Sequence, residues 1–506
     1  MSSNTKRIAK NTLLLYFRQI LTMLISLYTV RIILDVLGIE DYGIYNVVAG
    51  FVVIFSFLNS AMTSATQRFL NYAMGEKDDK QLGNVFSLSI IIHVIIALLA
   101  VVLAETLGLW IFKTFLSIPR QRYNAAFLVY QFSVLATVIN IVKVPFGALV
   151  IAHEKMSFYA FISIFEAIFK LAVAFLLLIL LYDKLIIYSL LTSISALIIF
   201  IIKIIYCKKM FNTVCFNYNK DILLLKNFTS FSFWSVFGQL ANLCKVNGTN
   251  VILNIFHGVT LNAAMGLSTQ VKMAVFTFVS NFQTAFRPQI VKSYAVRDFD
   301  YFFKLIFQTS KISFYLMFIF SLPLFLNLDF VLFLWLKEYP DYSVIFIRIM
   351  IIDSLLNALS GPLYTSIQAT GDIKKYQIIT SILVILNLPV SLLFLYLKFS
   401  PVYILITRLA IDSIILAFQV YLLRIKVNFS VFLYIKDVIL PILAIMFIVS
   451  GLSIFINVFF IDWACLLLSC AVSVAGTVLL AYFFGLNSQE KIFINDWITR
   501  KLLKHR

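Results

Sequence analysis

The sequence predicts an all-α polytopic membrane protein with about 14 transmembrane helices. Three observations carry that prediction. Of its 506 residues, 62% are hydrophobic and only 13% are charged, about half the charged share of an ordinary soluble domain. Apolar runs of twenty or so residues recur from end to end, the length that crosses about 30 Å of hydrocarbon, and the mean hydropathy is +0.97. The runs are continuous, without the polar–apolar alternation of barrel strands, which excludes a membrane β-barrel.

The helices fall near 11–37, 43–70, 84–108, 123–150, 157–181, 186–206, 230–256, 263–286, 301–327, 343–370, 377–398, 401–424, 438–458 and 463–485. The basic N-terminus MSSNTKRIAKN leads into an apolar run with no small-residue cleavage site and reads as a retained first helix. Lys and Arg then concentrate in alternate loops. The opposite loops hold only Lys113, Arg120, Arg122, Lys184, Lys337 and Lys398, so the positive-inside rule places both termini in the cytoplasm. The same rule accounts for the formal charge of +18 without a nucleic-acid partner. The longest loops, about 207–229 and 328–342, are too short to bury a core of their own, which argues against a catalytic domain and an enzyme. Five cysteines lack CxxC spacing and four histidines are scattered, so neither a disulfide framework, a metal site nor a cofactor is expected.

An internal repeat sets the domain organisation. RIILDVLGIEDYG, slid by 219 positions from 31 to 250, meets NVILNIFHGVTLN. Polar Arg31 and Asp35 then fall on Asn250 and Asn254, and Arg68 on Arg287. Near the same offset, Pro145, Ala152 and Tyr159 meet Pro362, Ala369 and Tyr376. Helices 1–6 and 7–12 therefore read as copies. The expected organisation is an N-terminal six-helix lobe at 1–229, a C-terminal lobe at 230–437, two additional helices at 438–485 and a basic cytoplasmic tail at 486–506. A repeat of six helices keeps its direction through the membrane, and the binding site is expected in the cavity between the lobes.

Two six-helix bundles plus a terminal helix pair resemble the multidrug/oligosaccharidyl-lipid/polysaccharide (MOP) exporter superfamily. The first helix ends in Arg31, an elbow at Leu37-Gly38 and then Tyr42-Gly43, similar to the polysaccharide exporters, including O-antigen (Wzx-type) flippases. The resemblance implies a flippase in the inner membrane of a bacterium. Its cargo would be a polyprenyl-pyrophosphate-linked oligosaccharide, its partners membrane lipids and a polysaccharide polymerase, and its mechanism alternating access through a cationic central cavity. An ion-coupled multidrug antiporter on the same fold is the alternative.

Charges within the helices are costly and so mark candidate sites. Arg31/Asp35, Glu166/Lys170 and Arg408/Asp412 are i,i+4 pairs, and Arg348/Asp353 is a looser one. Arg18, Lys143, Lys245, Lys272 and Lys311 have no acid at helical spacing. With Arg31 they are the candidate ligands of a pyrophosphate or other anionic headgroup. Arg68 and Arg287 are candidates for first contact with a headgroup arriving from the inner leaflet, Asp35 and Asp353 for ion coupling, and Pro145 and Pro362 for hinges. No phosphate-binding GxxxxGK[ST] loop is present in the sequence.

Overall fold

The computed structural model describes residues 3–53, 57–115, 118–180, 182–211, 221–257, 259–460 and 462–485. Every regular element among them is a helix. The chain divides within one helix into two compact units, residues 9–239, and residues 3–8 together with those from Leu240 onward. Cys215 and the tail expected at 486–506 lie outside the described residues, and the four described cysteines are free.

The N-terminal unit takes in α1 (Ser3–Val53) from residue 9 onward, and this helix turns sharply at Gly38, where φ is 76° and ψ 169°. Only glycine adopts that region without strain, because a Cβ would crowd the following carbonyl. The elbow read from GIEDYG is therefore a backbone property of one residue. Beyond it follow α2 (Phe57–Glu76) and α3 (Asp79–Leu103), the latter capped by Asp78, whose carboxylate accepts from the Gln81 amide at 2.9 Å. A π-helical turn over Ala104–Gly108 joins α3 to α4 (Leu109–Phe115). The Tyr130 hydroxyl donates to the Ala104 carbonyl at 2.7 Å, in space that a Cβ on Gly108 would fill. Tyr130, Phe112, Val129 and Leu185 form a packed core beside that turn.

The span expected at 123–150 is broken at Lys143 into α5 (Tyr123–Val142) and α6 (Val144–Ala152). Pro145 sits in the first turn of α6, where its missing N–H costs nothing. Two further helices, α7 (Met156–Ile179) and α8 (Lys184–Met210), complete the unit, with the first part of α9 (Ile222–His257).

Arg122 fastens three connections of this unit. Its Nε donates to Asp41 Oδ1 at 2.8 Å, Nη1 donates to Asp183 Oδ2 at 2.6 Å, and Nη2 pairs with Asp41 Oδ2. Asp41 follows the Gly38 elbow, Asp183 caps the start of α8, and Arg122 precedes α5. The acidic half of the elbow is thus explained by a distant arginine.

In the C-terminal unit, the rest of α9 is followed by α10 (Val259–Ala295), α11 (Phe299–Leu326), α12 (Leu328–Leu336), α13 (Ser343–Ala369), α14 (Lys374–Tyr396) and α15 (Val402–Val427). Short α16 (Val431–Tyr434) runs through a π-helical turn into α17 (Leu440–Phe459), and α18 (Asp462–Leu480) follows. Pro362 lies inside α13, which remains one helix. The terminal pair docks on α11: Asn327, just past its end, donates to Ser469 Oγ at 2.8 Å, and Ser473 Oγ donates to the Ile319 carbonyl at 3.0 Å. At the turn between α13 and α14, Lys426 hydrogen-bonds the Asp372 carboxylate at 2.8 Å and so holds it below the usual carboxylate range.

Eleven helical segments among the described residues are long and apolar enough to cross a membrane. The segments expected at 230–256 and 263–286, and the described parts of 43–70 (43–53 and 57–70), are helical as well but are not among the eleven. Residues such as Asn242, Lys245, Asn247 and Asn250 on α9, and Gln270, Lys272 and Asn281 on α10, lower their hydropathy.

Two stability changes follow. Gly38→Ala should cost about 1–3 kcal/mol from backbone strain alone, since nothing lies within 4 Å of the added Cβ. Arg122→Gln should cost about 1–2 kcal/mol, because the three side chains keep partial contact with solvent. Thermal unfolding in detergent reads both, and a Gly38→Ala protein as stable as the parent would refute the strained elbow.

Candidate functional site

The C-terminal unit holds a five-residue charge cluster drawn from four helices. Asp353 of α13 is 1% exposed, and its Oδ2 lies 2.5 Å from Lys272 Nζ of α10 and 3.2 Å from Arg408 Nη2 of α15. One turn along α15, Asp412 has Lys245 Nζ of α9 at 3.7 Å and Arg408 Nε at 3.9 Å. Three cations thus surround two carboxylates. Each ion would be costly in hydrocarbon alone, and the pairing across helices is what makes their burial tolerable.

This geometry corrects two sequence expectations. Lys245 and Lys272 were expected to lack acid partners, but each has one on another helix. The looser Arg348/Asp353 pair does not form: Arg348 Nη2 lies 3.1 Å from Asp329 Oδ2 and its Nε donates to the Phe325 carbonyl, while Asp353 faces the other cations. Helical spacing finds partners on one face of one helix and cannot see a partner 81 residues away, as Lys272 and Asp353 are. Arg408 and Asp412 were visible only as a mutual pair, although the nearest partner of Arg408 is Asp353.

Below the cluster, α10 and α13 are tied by an amide. Gln283 Nε2 donates to the Ala358 carbonyl at 3.0 Å and to Ser313 Oγ at 3.2 Å. Gly361 allows this approach, since a Cβ there would overlap the Gln283 side chain.

In the N-terminal unit a second charged group surrounds a cavity of about 630 Å³ between α1, α7 and α8. Arg18, Thr22 and Ser26 face it from α1, and Ser163, Glu166 and Lys170 from α7. The Glu166–Lys170 pair forms as expected, at 2.9 Å. Lys143 and Lys203 both lie within electrostatic range of Glu166, and Lys203 Nζ would be 3.7 Å from a Cβ on Gly147. Sequence reasoning missed Lys203. Its signal was a lone lysine in FIIKIIY, deep in an apolar run.

The remaining candidates are dispersed. Arg18 stacks over Tyr159, 5.0 Å from the ring centroid. Arg31 and Asp35 are both exposed on α1, and no ion pair joins them among the described residues; the side chain of Asn254, the repeat partner of Asp35, lies outside the described residues. Arg68 lies over Phe69 and Tyr72 at 4.5 and 4.9 Å, a cation–π arrangement. Arg287 of α10 is near Tyr364 of α13. Lys311 is buried inside α11 and is engaged by a neighbour. No group of His, Cys, Asp and Glu that could hold a metal ion occurs among the described residues.

Solved structures define the class of this fold. A MATE transporter crystallised with MaD5 superposes with a TM-score of 0.71 at 12% identity, covering 84% of this chain and 97% of that one. An outward-facing multidrug resistance MATE family transporter of the MOP superfamily gives 0.70 at 13%, covering 84% and 96%. A MOP superfamily transporter from Pyrococcus furiosus, described as having a binding pocket of reverse polarity, gives 0.68 at 13%, also covering 84% and 96%. The chain has the MATE fold and is a multi-pass, all-helical membrane protein. Residues 8–294, more than half of the chain, match the polysaccharide biosynthesis protein family model, and the chain belongs to that family. Residues 249–393 also match the MatE model, so this is a transporter of the MOP superfamily. No curated protein matches it.

Removing one acid should expose how much the cluster depends on it. Asp353→Asn leaves Lys272 and Arg408 buried without their shared anion and should destabilise the protein by about 3–5 kcal/mol. Arg348→Gln, which touches only the peripheral pair, should change stability by under about 1 kcal/mol. Comparable losses for the two variants in detergent thermal unfolding would contradict the assignment.

Proposed function

We propose that the protein flips a polyprenyl-pyrophosphate-linked oligosaccharide across the bacterial cytoplasmic membrane and performs no covalent chemistry. The observation that carries this reading is the sign of the buried charge. In one unit Lys245, Lys272 and Arg408 exceed Asp353 and Asp412 by one; in the other Lys143 and Lys203 exceed Glu166 by one, with the half-exposed Lys170 paired to Glu166 beside them. A surplus of positive charge in a low-dielectric setting attracts an anion, and a diphosphate offers oxygens to several donors at once. Membership in the polysaccharide biosynthesis family supports the same cargo. Arg18 lines the cavity with Glu166 and Lys170, and Arg31 is exposed on α1. Alternating access would rely on the break before Pro145 and the proline in α13 as pivots.

Ion-coupled efflux of organic cations is the second reading, favoured by the MatE match over residues 249–393. The Pyrococcus furiosus relative, with its pocket of reverse polarity and suggested different function, suggests that pocket charge is not fixed on this scaffold. A pocket with surplus cations suits a cationic drug poorly.

Reconstituted liposomes separate the two readings. The protein should move a fluorescent polyprenyl-pyrophosphate oligosaccharide between leaflets and should leave a fluorescent organic cation where it is. Lys203→Gln and Lys245→Gln should each slow flipping about 10- to 100-fold, the loss of one charge-assisted contact. Glutamine is preferable to a charge reversal, which would press a third acid against Asp412. Cation efflux driven by an ion gradient, with no lipid movement, would overturn the proposal.

A further inference from the structure

The two carboxylates of the C-terminal cluster are held very differently. Asp353 Oδ2 receives charge-assisted contacts at 2.5 and 3.2 Å from two cations. Asp412 has its cations at 3.7 and 3.9 Å, beyond hydrogen-bonding distance. Both acids border the same guanidinium, at 3.2 and 3.9 Å, and their carboxyl groups are neighbours in the cluster. Two ionised carboxylates repel and cannot donate to one another, so a hydrogen bond between them forms only when one carries a proton. The structure also leaves a receiver for it: Asp353 Oδ1 is buried and has no hydrogen-bond partner.

We infer that Asp412 is a proton-binding site, and that its O–H, once formed, donates to Asp353 Oδ1. The proton comes from water and adds to the Asp412 carboxylate; no covalent bond breaks. Asp353 keeps its negative charge because Lys272 and Arg408 hold its other oxygen. The charged or titratable groups facing Asp412 are Lys245 of α9, Asp353 of α13 and Arg408 of α15, with Lys272 of α10 behind Asp353 and the Tyr376 phenol of α14 at longer range. Proton uptake changes the cluster from three cations and two anions to three cations and one. Lys245 then loses the charge of Asp412, the carboxylate nearest it among the described residues, and the site becomes a stronger anion receptor. Proton and anion binding therefore reinforce each other, and by linkage each raises the affinity of the other equally. This second step rests on the anion-binding reading above; the proton site does not.

Infrared difference spectra of the detergent-solubilised protein between alkaline and acidic buffer test the site directly. The parent should show a protonated-carboxyl C=O band growing on acidification, Asp412→Asn should lack that component, and Asp412→Glu should keep it at a shifted frequency. If the spectrum of Asp412→Asn matches the parent, or if Asp412→Glu leaves the band where it was, the proposal is overturned. The linkage is read by binding of sulfate, whose charge is constant over the pH range used. Affinity should rise about tenfold on acidification in the parent, and should be high and independent of pH in Asp412→Asn. A titrating band with pH-independent sulfate binding in the parent would sustain the proton site and refute the anion receptor.

Discussion

A carboxylate shut away from solvent between two cations is the contact on which the C-terminal unit depends. Asp353 joins α13 to α10 through Lys272 and to α15 through Arg408, and Asp412 extends the chain to α9 through Lys245. Lipid offers no water to any of these ions, so each must find its counter-charge on a neighbouring helix or stay out of the membrane interior. Four helices are thereby fixed in rotation about their own axes. Apolar packing cannot impose that restriction alone, since one leucine face resembles another.

The same constraint operates in the N-terminal unit at lower density. Arg122 gathers Asp41 and Asp183, and Glu166 holds Lys170 with Lys143 and Lys203 nearby. The two groups differ in kind. The Arg122 group carries two acids to one base and ties connections between helices, so it acts as a fastening. The Glu166 group carries surplus base beside a cavity. Sign and surroundings, more than the number of charges, separate scaffold from site in this molecule.

Much of the fold was legible because hydropathy is read one residue at a time. The long apolar helices fall where the pattern put them, and the elbow at Leu37-Gly38 is a sharp turn at the glycine. The charged site was legible only in part. Glu166 and Lys170 meet because four residues bring them to one helix face. Lys272 and Asp353 meet because two helices distant in the chain pack together, which no spacing rule encodes. Arg31 and Asp35 satisfy the spacing rule and still do not pair, since exposed side chains gain little by joining. The polar character of α9 and α10 was the overlooked hint: the least hydrophobic helices of the unit carry two of its buried lysines.

The docking of α18 on α11 has a consequence in time. Asn327 and Ser469 are 142 residues apart, and Ser473 and Ile319 are 154 apart. At a synthesis rate of about 5–20 residues per second, α11 emerges roughly 7–30 s before its partners exist. During that interval its polar groups face lipid or the insertion machinery. The newborn chain therefore passes through a stage in which every helix of the charge cluster is already made and the last brace is still missing.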